Sequence, residues 1–251
     1  MTIPLDQISG MPAFSPYYPA PPARYRGVRT HTVRFRADPA AVDALLPACL
    51  EPAPDGECVA WGTDAPWSSH YGAFQTAIVA VKCAYEDATG YFILVQFVNS
   101  RGSIPAGREI WGTPKVWADV NADFDERVIV TDARLAGTAV ISIRSTMQRH
   151  SQPSNLPDFA PLWRLKVIPK ADGPGAEVMQ LIDGSDVNTD IVTHVLRAGD
   201  GVVEFKPTPV FDLSSLAPRE YLGASYAERD FTEGYGRVVR DFLKDSGDRP
   251  G

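Results

Sequence analysis

Residues 74–98 read FQTAIVAVKCAYEDATGYFILVQFV, and this stretch sets the fold class. Its two runs, Phe74–Tyr85 and Tyr91–Val98, are rich in β-branched and aromatic residues, and the turn-forming segment 86–90 separates them. Such runs with turn residues between them are typical of neighbouring β-strands. The longest apolar stretch of the chain lies near this second run, and it is the length of a strand rather than of a membrane span.

Similar runs lie on both sides of this segment. Further strands are predicted at Val28–Phe35, Glu57–Gly62, Val116–Val120, Arg127–Ala133, Thr138–Thr146, Trp163–Ile168, Ala176–Ile182, Thr189–Leu196 and Gly201–Phe205. Hairpin turns are expected at Lys170–Gly175 and Ala198–Gly201. About ten strands with few helices favour an antiparallel β-barrel or sandwich, and the absence of alternating βαβ units argues against a Rossmann fold or a TIM barrel.

Two helices are predicted near the ends of this strand series. Asp38 and Pro39 form an N-cap followed by proline at the first helical position, so a short helix is expected over Ala40–Leu46. The apolar spacing within Gly236–Lys244 predicts a second helix. Proline and aromatic residues crowd the first 25 residues, which predicts an extended N-terminal arm over residues 1–25 and a single domain over residues 26–251.

Composition excludes several classes of protein. The 251 residues carry 24 basic and 31 acidic side chains, a net charge of −7, which argues against a protein that coats nucleic acid. No apolar run is long enough to cross a membrane, and the N-terminus lacks the features of a signal peptide. The cysteines Cys49, Cys58 and Cys83 suggest buried thiols in a reducing cytoplasm, and neither they nor the four scattered histidines have the spacing of a metal site.

The segment IPAGREIWGTPKVW, residues 104–117, concentrates the residues with chemical potential. Lys115 follows a proline and lies between Trp111 and Trp117, whose rings could exclude water from its amino group. Desolvation disfavours the ammonium form and lowers the pKa of a lysine. A neutral lysine amine can attack a carbonyl carbon and form a Schiff base. The alternative is a surface lysine whose aliphatic stem covers the tryptophans.

Residues 107–115, GREIWGTPK, resemble the GRExxGxPK signature of the acetoacetate decarboxylase superfamily. The segment LKVIPKADG at 165–173, the strand-to-helix start RFRAD at 34–38 and the predicted C-terminal helix also fall where that family has them. The chain is therefore identified as a divergent member. The resemblance implies a mainly β (α+β) fold, an antiparallel β-barrel or cone with a few short helices, and it implies a homo-oligomer. It also implies that Lys115 is the Schiff-base lysine.

Several positions depart from the family pattern. The second lysine that follows the catalytic lysine in the decarboxylases is Val116 here, so a neighbouring cation is expected to be missing. The positions of two family carboxylates fall at Ala73 and near Ala60-Trp61, and the family's pocket arginine falls at Val28 or Arg29. These replacements predict a larger and less charged substrate than acetoacetate.

Four more residues are candidates for contact with the substrate: Phe74, Gln96, Trp111 and Tyr235. Gln96 interrupts an apolar strand and must either orient a ligand or make a structural hydrogen bond. Trp111 is either a pocket wall or a core residue. Tyr235 lies between two glycines and is either a proton donor at the pocket mouth or a packing residue.

Three polar residues receive weaker functional interpretations. His70 could act as a general base, but a histidine in a surface loop is the more common situation. Arg108 and Glu109 are expected to form a buried structural ion pair that holds the lysine loop.

The leading functional hypothesis is a carbon–carbon lyase that forms an iminium between Lys115 and an oxo acid or related carbonyl compound, with decarboxylase-like chemistry. The alternatives are a pyruvate-type aldolase or dehydratase, a tailoring cyclase of secondary metabolism that uses the same pocket, and a non-catalytic binder of carbonyl ligands. No external cofactor is expected, because the lysine itself supplies the electron sink. The expected partner is a small carbonyl substrate, and neither nucleic acid nor a membrane is expected.

Overall fold

The structure is a computed structural model that describes residues 3–125, 127–152 and 158–244. Its strands are β1 (Ala23–Arg36), β2 (Glu51–Pro52), β3 (Glu57–Ala65), β4 (Trp67–Ser68), β5 (Phe74–Tyr85), β6 (Ala88–Val98), β7 (Lys115–Trp117), β8 (Asp119–Phe124), β9 (Val128–Leu135), β10 (Thr138–His150), β11 (Leu162–Pro169), β12 (Ala176–Asp183), β13 (Asn188–Phe205), β14 (Glu220–Glu233) and β15 (Arg237–Asp241). The helices are α1 (Pro39–Asp43) and α2 (Ser103–Ala106), with a π-helical turn at Gly107–Trp111 and short 3₁₀ turns at Leu5–Gln7, Ser185–Val187 and Ser214–Leu216. No helix in these ranges is both long and apolar enough to span a membrane.

One sheet joins the fifteen strands of the described residues. The order along its main path is β15-β12-β11-β6-β5-β3-β1-β14-β13-β10-β9-β8, and β2, β4 and β7 pair at its sides with β5, β1 and β6. The pairings of these strands are antiparallel except for β11 with β6 and β7 with β6, which are parallel. The prediction of a mainly β fold with few short helices is confirmed. The path does not close on itself within the described ranges, so the sheet is open and mixed rather than a closed barrel.

The central strands β1, β3, β5 and β6 have two faces with different roles. Successive side chains of a strand point to opposite sides of a sheet. One side contributes fully buried apolar residues to the largest core cluster: Val33, Phe35, Ala60, Ala77, Val79, Val95 and Phe97. The other side borders a cavity with the intervening residues: Thr30, Thr32, Trp61, Thr63, Thr76, Ile78 and Gln96. The core therefore supports the cavity from behind.

The hairpin turn predicted at Ala198–Gly201 is wrong, because β13 runs straight through it. Ala198 pairs with Arg149 of β10 on one side and with Ser225 of β14 on the other. Hydrogen-bond ladders on both edges of the segment override the turn preference of its two glycines. The turn predicted at Lys170–Gly175 is confirmed, since the amide of Lys170 donates to the carbonyl of Gly175 at 3.1 Å between β11 and β12.

The predicted C-terminal helix is also wrong, because residues 237–241 form strand β15. Val238 pairs with Ile182 of β12, and Val239 packs beside the cluster that contains Trp163. The open edge of β12 gives this segment backbone partners that a short helix would lack. The predicted strand Val116–Val120 is divided between β7 and β8, and strand β14 was not predicted.

The N-terminal arm has little regular structure, and the helix predicted over Ala40–Leu46 is the shorter α1 (Pro39–Asp43). Residues 3–22 contain only the 3₁₀ turn as regular structure, and β1 begins at Ala23. The arm lies on its own chain, because the buried Tyr18 donates a hydrogen bond to the carboxylate of Glu109. The side chain of Asp38 accepts a hydrogen bond from the amide of Ala40 at 3.1 Å and caps α1 as predicted.

Candidate active site

A cavity of about 350 Å³ lies between the second face of the central strands and β14. It brings together four of the five predicted site residues: Phe74, Gln96, Trp111 and Lys115. Tyr235 is not among the lining residues and is 63% exposed in the link between β14 and β15. The structure therefore gives Tyr235 no place at the pocket.

The local backbone explains how Lys115 reaches the cavity. The chain leaves β6, forms α2 and the π-helical turn, and reverses at Gly112, which has a φ of +70°. That left-handed conformation suits glycine, and a Cβ at this position would also lie 2.5 Å from the Cα of Lys166. Lys115 then opens β7 directly beside Gln96, its register partner on β6. The two side chains thus enter the cavity from adjacent strands.

Gly107, the first glycine of the motif, makes room for the lysine side chain. A Cβ added at Gly107 would lie 2.5 Å from Cε and 2.9 Å from Nζ of Lys115. Any larger residue at this position must displace the amine of Lys115. The motif therefore pairs a glycine and a lysine for a steric reason, in addition to its resemblance to a family signature.

The amino group of Lys115 lies inside the protein, although the residue as a whole is partly accessible because it borders the cavity. Nζ donates a hydrogen bond to the carbonyl oxygen of Ser103 at 3.0 Å. Burial lowers the pKa of Lys115 from 10.5 to about 8, the charge of Glu233 opposes this shift, and the charge of Arg164 adds to it. The expected desolvation is present. The expected lack of a neighbouring cation is wrong, because Arg164 acts on the lysine from another strand.

Arg164 and Glu233 are site residues that the sequence did not reveal. Arg164 on β11 is 8% exposed, lines the cavity, and has Nε and Nη1 buried without a hydrogen-bond partner. Burial lowers its pKa, while the charges of Glu233 and Asp183 oppose that effect. Glu233 ends β14 and accepts a hydrogen bond from the hydroxyl of Tyr25 at 2.9 Å. The carboxylate of Glu233 and the guanidinium group of Arg164 thus line the same cavity as the amine of Lys115.

The remaining predicted residues form the walls. Trp111 is 3% exposed, and its indole Nε1 donates to the carbonyl of Gly234 at 3.0 Å, so it serves both as a wall and as a packing residue. Phe74 meets Tyr25 edge-on, with ring centroids 6.3 Å apart. Gln96 borders the cavity, and its side-chain amide has no hydrogen-bond partner within the described residues. The amide is therefore available to a ligand.

The cavity is more charged than the sequence suggested. Val28 lines it, whereas Arg29 lies on the other side of β1 and forms an ion pair with Asp64 at 2.6 Å. The replaced family residues predicted a less charged substrate, but two arginines, Arg164 and Arg229, line the cavity from β11 and β14. The guanidinium groups in the cavity therefore come from β11 and β14, whereas the resemblance places the family's pocket arginine on β1.

The three weaker candidates lie outside the cavity. His70 is bound between the hydroxyl of Ser69 at 2.9 Å and the carbonyl of Ala20 at 3.0 Å, on the surface, as its loop position suggested. The expected buried ion pair of Arg108 and Glu109 is wrong. Arg108 is exposed and donates to the carbonyl of Lys115 at 3.3 Å, while Glu109 accepts from the hydroxyl of Tyr18. Both still hold the lysine segment, but through different partners.

Cysteine and histidine play no visible part in the cavity. Cys58 and Cys83 are buried and Cys49 is partly buried, and all three are free thiols. In the part of the chain that the structure describes, no group of three or more His, Cys, Asp or Glu side chains could hold a metal ion.

Comparison with known proteins places this arrangement in a family. A family model described as acetoacetate decarboxylase matches residues 3–243. This chain belongs to the acetoacetate decarboxylase family. A curated acetoacetate decarboxylase of Chromobacterium violaceum is 25% identical over 242 residues, which cover 93% of this chain and 95% of the relative.

Solved structures agree with the fold. The crystal structure of an acetoacetate decarboxylase from Legionella pneumophila superposes with a TM-score of 0.85 at 24% identity, covering 97% of this chain and 100% of that one. The enduracididine biosynthesis enzyme MppR, solved in complex with pyruvate, gives a TM-score of 0.76 at 20% identity and covers 93% of this chain and 98% of its own. Both structures share the fold of this chain.

Proposed function

We propose that this family member is a carbon–carbon lyase that forms an iminium between Lys115 and the carbonyl carbon of an oxo acid. The observation that carries the proposal is the lysine amine inside the cavity, with its pKa lowered to about 8 and with the carbonyl of Ser103 as its hydrogen-bond partner among the described residues. A neutral amine is the nucleophile in Schiff-base formation. The motif resemblance and the named relatives support the same lysine chemistry.

Decarboxylation of a 3-oxo acid follows directly from this arrangement. The amine of Lys115 attacks the ketone carbon, and loss of water gives the iminium. The bond to the carboxylate carbon then breaks, and its electron pair moves into the iminium to form an enamine while CO₂ leaves. The enamine takes a proton on carbon, and water hydrolyses the resulting iminium to release the ketone and the free amine.

A second candidate, an aldolase or dehydratase that acts on a 2-oxo acid such as pyruvate, is favoured by Glu233. Its carboxylate lines the same cavity as Lys115 and is held by the hydroxyl of Tyr25. In this reaction Glu233 accepts a proton from the carbon next to the iminium, and the enamine adds to an aldehyde. Arg164 retains the substrate carboxylate through an ion pair. The pyruvate complex of MppR shows that one protein of this fold accepts such a ligand.

Product analysis separates these reactions. The purified protein is incubated with acetoacetate and larger 3-oxo acids, and separately with pyruvate and an aldehyde, and CO₂ and condensation products are quantified. Lys115→Met should abolish either activity. Lys166→Met is the matched control, because Lys166 lies against Gly112 in the same region without lining the cavity. Equal loss in both variants, or ligand binding without turnover in the unaltered protein, would overturn the proposed lyase in favour of a structural lysine or a carbonyl binder.

A further inference from the structure

Two arginines line the cavity without side-chain partners. Arg164 has Nε and Nη1 buried and unpaired, and Arg229 has its Nε buried and unpaired. Neither guanidinium takes part in a hydrogen bond or ion pair with another described residue. Burial lowers the pKa of Arg229.

Arg164 is buried and Arg229 is partly buried, whereas two other arginines of the sheet have carboxylate partners. Arg29 is paired with Asp64 at 2.6 Å, and Arg34 is paired with Glu57 at 2.6 Å. A buried charge without a partner is strongly destabilising, so buried charged groups are normally paired. Two unpaired guanidinium groups facing one cavity are therefore best explained by anionic ligand groups that satisfy them.

The two guanidinium groups serve different parts of the cavity. Arg164 and Glu233 act on the charge of Lys115 and so mark the reactive end. Arg229 lies on the same face of β14 as Glu233, four residues earlier, next to its register partner Val28. At about 3.3 Å per residue this separates the two positions by roughly 13 Å along the strand. Arg229 therefore marks a distal end, away from the amine.

We propose that the substrate is an oxo dicarboxylic acid, with one carboxylate at Arg164 and a second carboxylate at Arg229. This inference rests on the proposed iminium chemistry for its reactive end and names the substrate class. Charge supports it: in the iminium state two guanidinium groups and the iminium carry three positive charges against one negative charge on Glu233. Two carboxylates balance the difference. A single guanidinium at the distal end matches a carboxylate, which it binds through two parallel hydrogen bonds, better than a doubly charged phosphate.

The test compares ligands that differ only at the distal end. Binding of 2-oxoglutarate and 2-oxoadipate is measured by calorimetry against 2-oxopentanoate and 2-oxohexanoate, and borohydride reduction followed by mass spectrometry reports imine formation in the same samples. These 2-oxo acids persist because an iminium at their carbonyl carbon cannot expel the adjacent carboxylate. The diacid is expected to bind at least about tenfold more tightly than its matched monoacid.

Variants locate the effect at Arg229. Arg229→Gln should remove the preference for the diacid, so that diacid and monoacid bind with similar affinity, and Arg229→Lys should retain part of the preference. Arg144→Gln is the control, because Arg144 of β10 forms an exposed pair with Glu204 of β13, and neither residue lines the cavity. Equal affinity for diacid and monoacid, or a preference that survives Arg229→Gln, would overturn the inference. A diacid preference without any reduced adduct would sustain it and overturn the iminium proposal instead.

Discussion

The pKa of Lys115 should shift in opposite directions when its two charged neighbours, Arg164 and Glu233, are replaced. Relative to an unperturbed lysine at 10.5, a pKa of about 8 raises the neutral fraction at pH 7 roughly 300-fold, to about one tenth of the molecules. Because the charge of Arg164 lowers this pKa, Arg164→Gln should raise it. Because the charge of Glu233 raises it, Glu233→Gln should lower it further.

The assay is the rate of acylation of Lys115 by a small amine-selective reagent, followed by peptide mass spectrometry between pH 6 and 11. It needs no knowledge of the substrate, and the rate rises with the neutral fraction of the amine. The expected midpoint is near 8 in the unaltered protein, higher in Arg164→Gln and lower in Glu233→Gln. A midpoint near 10.5, or displacement of both variants in the same direction, would refute the electrostatic reasoning.

Four other perturbations have defined outcomes. Lys115→Met should stabilise the protein at pH 7 by up to about 3 kcal/mol, since the folded state no longer holds a buried ammonium, and the difference in urea unfolding should vanish as pH rises from 8 to 10.5; an equally stable variant at pH 7 would contradict this. Gly107→Ala should reduce imine formation about 100-fold with little change in melting temperature, and unchanged trapping would show that the 2.5 Å approach to Lys115 is unimportant. His31 has a pKa lowered by burial to about 3, so its contribution to stability is complete above about pH 6.5 and is lost as pH falls towards 3; a urea midpoint constant between pH 7 and 4 would speak against it. Tyr18→Phe should cost about 1.5–3 kcal/mol by removing the hydrogen bond to Glu109, and should make the N-terminal arm more sensitive to limited proteolysis, an effect that a merely surface-bound arm would not show.

The strand predicted most accurately is an apolar run followed by clear turn residues. β5 begins and ends at the residues that its apolar run indicated, because both of its faces are covered and the turn residues after it are unambiguous. The sequence also singled out Lys115, which lines the cavity, although of its two tryptophan neighbours Trp111 lines the cavity and Trp117 is 45% exposed. Chemistry that is local in sequence can be recognised from the sequence.

Strand β14 was not predicted from the sequence, and for that reason its cavity residues Arg229 and Glu233 were not predicted either. The cavity face of β14 carries Ser225, Ala227, Arg229, Phe231 and Glu233, a mixture of polar and apolar side chains that is unlike a core strand. A strand that lines a polar cavity need not show alternating hydrophobicity. The partners of Lys115 are supplied by tertiary structure from distant parts of the chain, so local patterns could not reveal them.

For Arg164, the sequence contained a signal of its orientation in the neighbouring Trp163. It lies in a correctly predicted strand, immediately after Trp163, which is 1% exposed and packs in a core cluster. Since neighbouring side chains on a strand point to opposite sides, placing Trp163 in the core would have put the arginine on the other face. Which surface that face meets depends on the parallel pairing of β11 with β6, and the sequence does not specify that pairing.

Borohydride reduction tests the central claim most directly. The protein is mixed separately with acetoacetate, pyruvate and an oxo dicarboxylic acid, reduced with sodium borohydride, and analysed by intact and peptide mass spectrometry beside Lys115→Met and Lys166→Met. Iminium chemistry predicts a reduced adduct on Lys115, absent in Lys115→Met and retained in Lys166→Met. The absence of an adduct with every ligand, while a known acetoacetate decarboxylase is trapped under the same conditions, would contradict Schiff-base chemistry and leave only the fold.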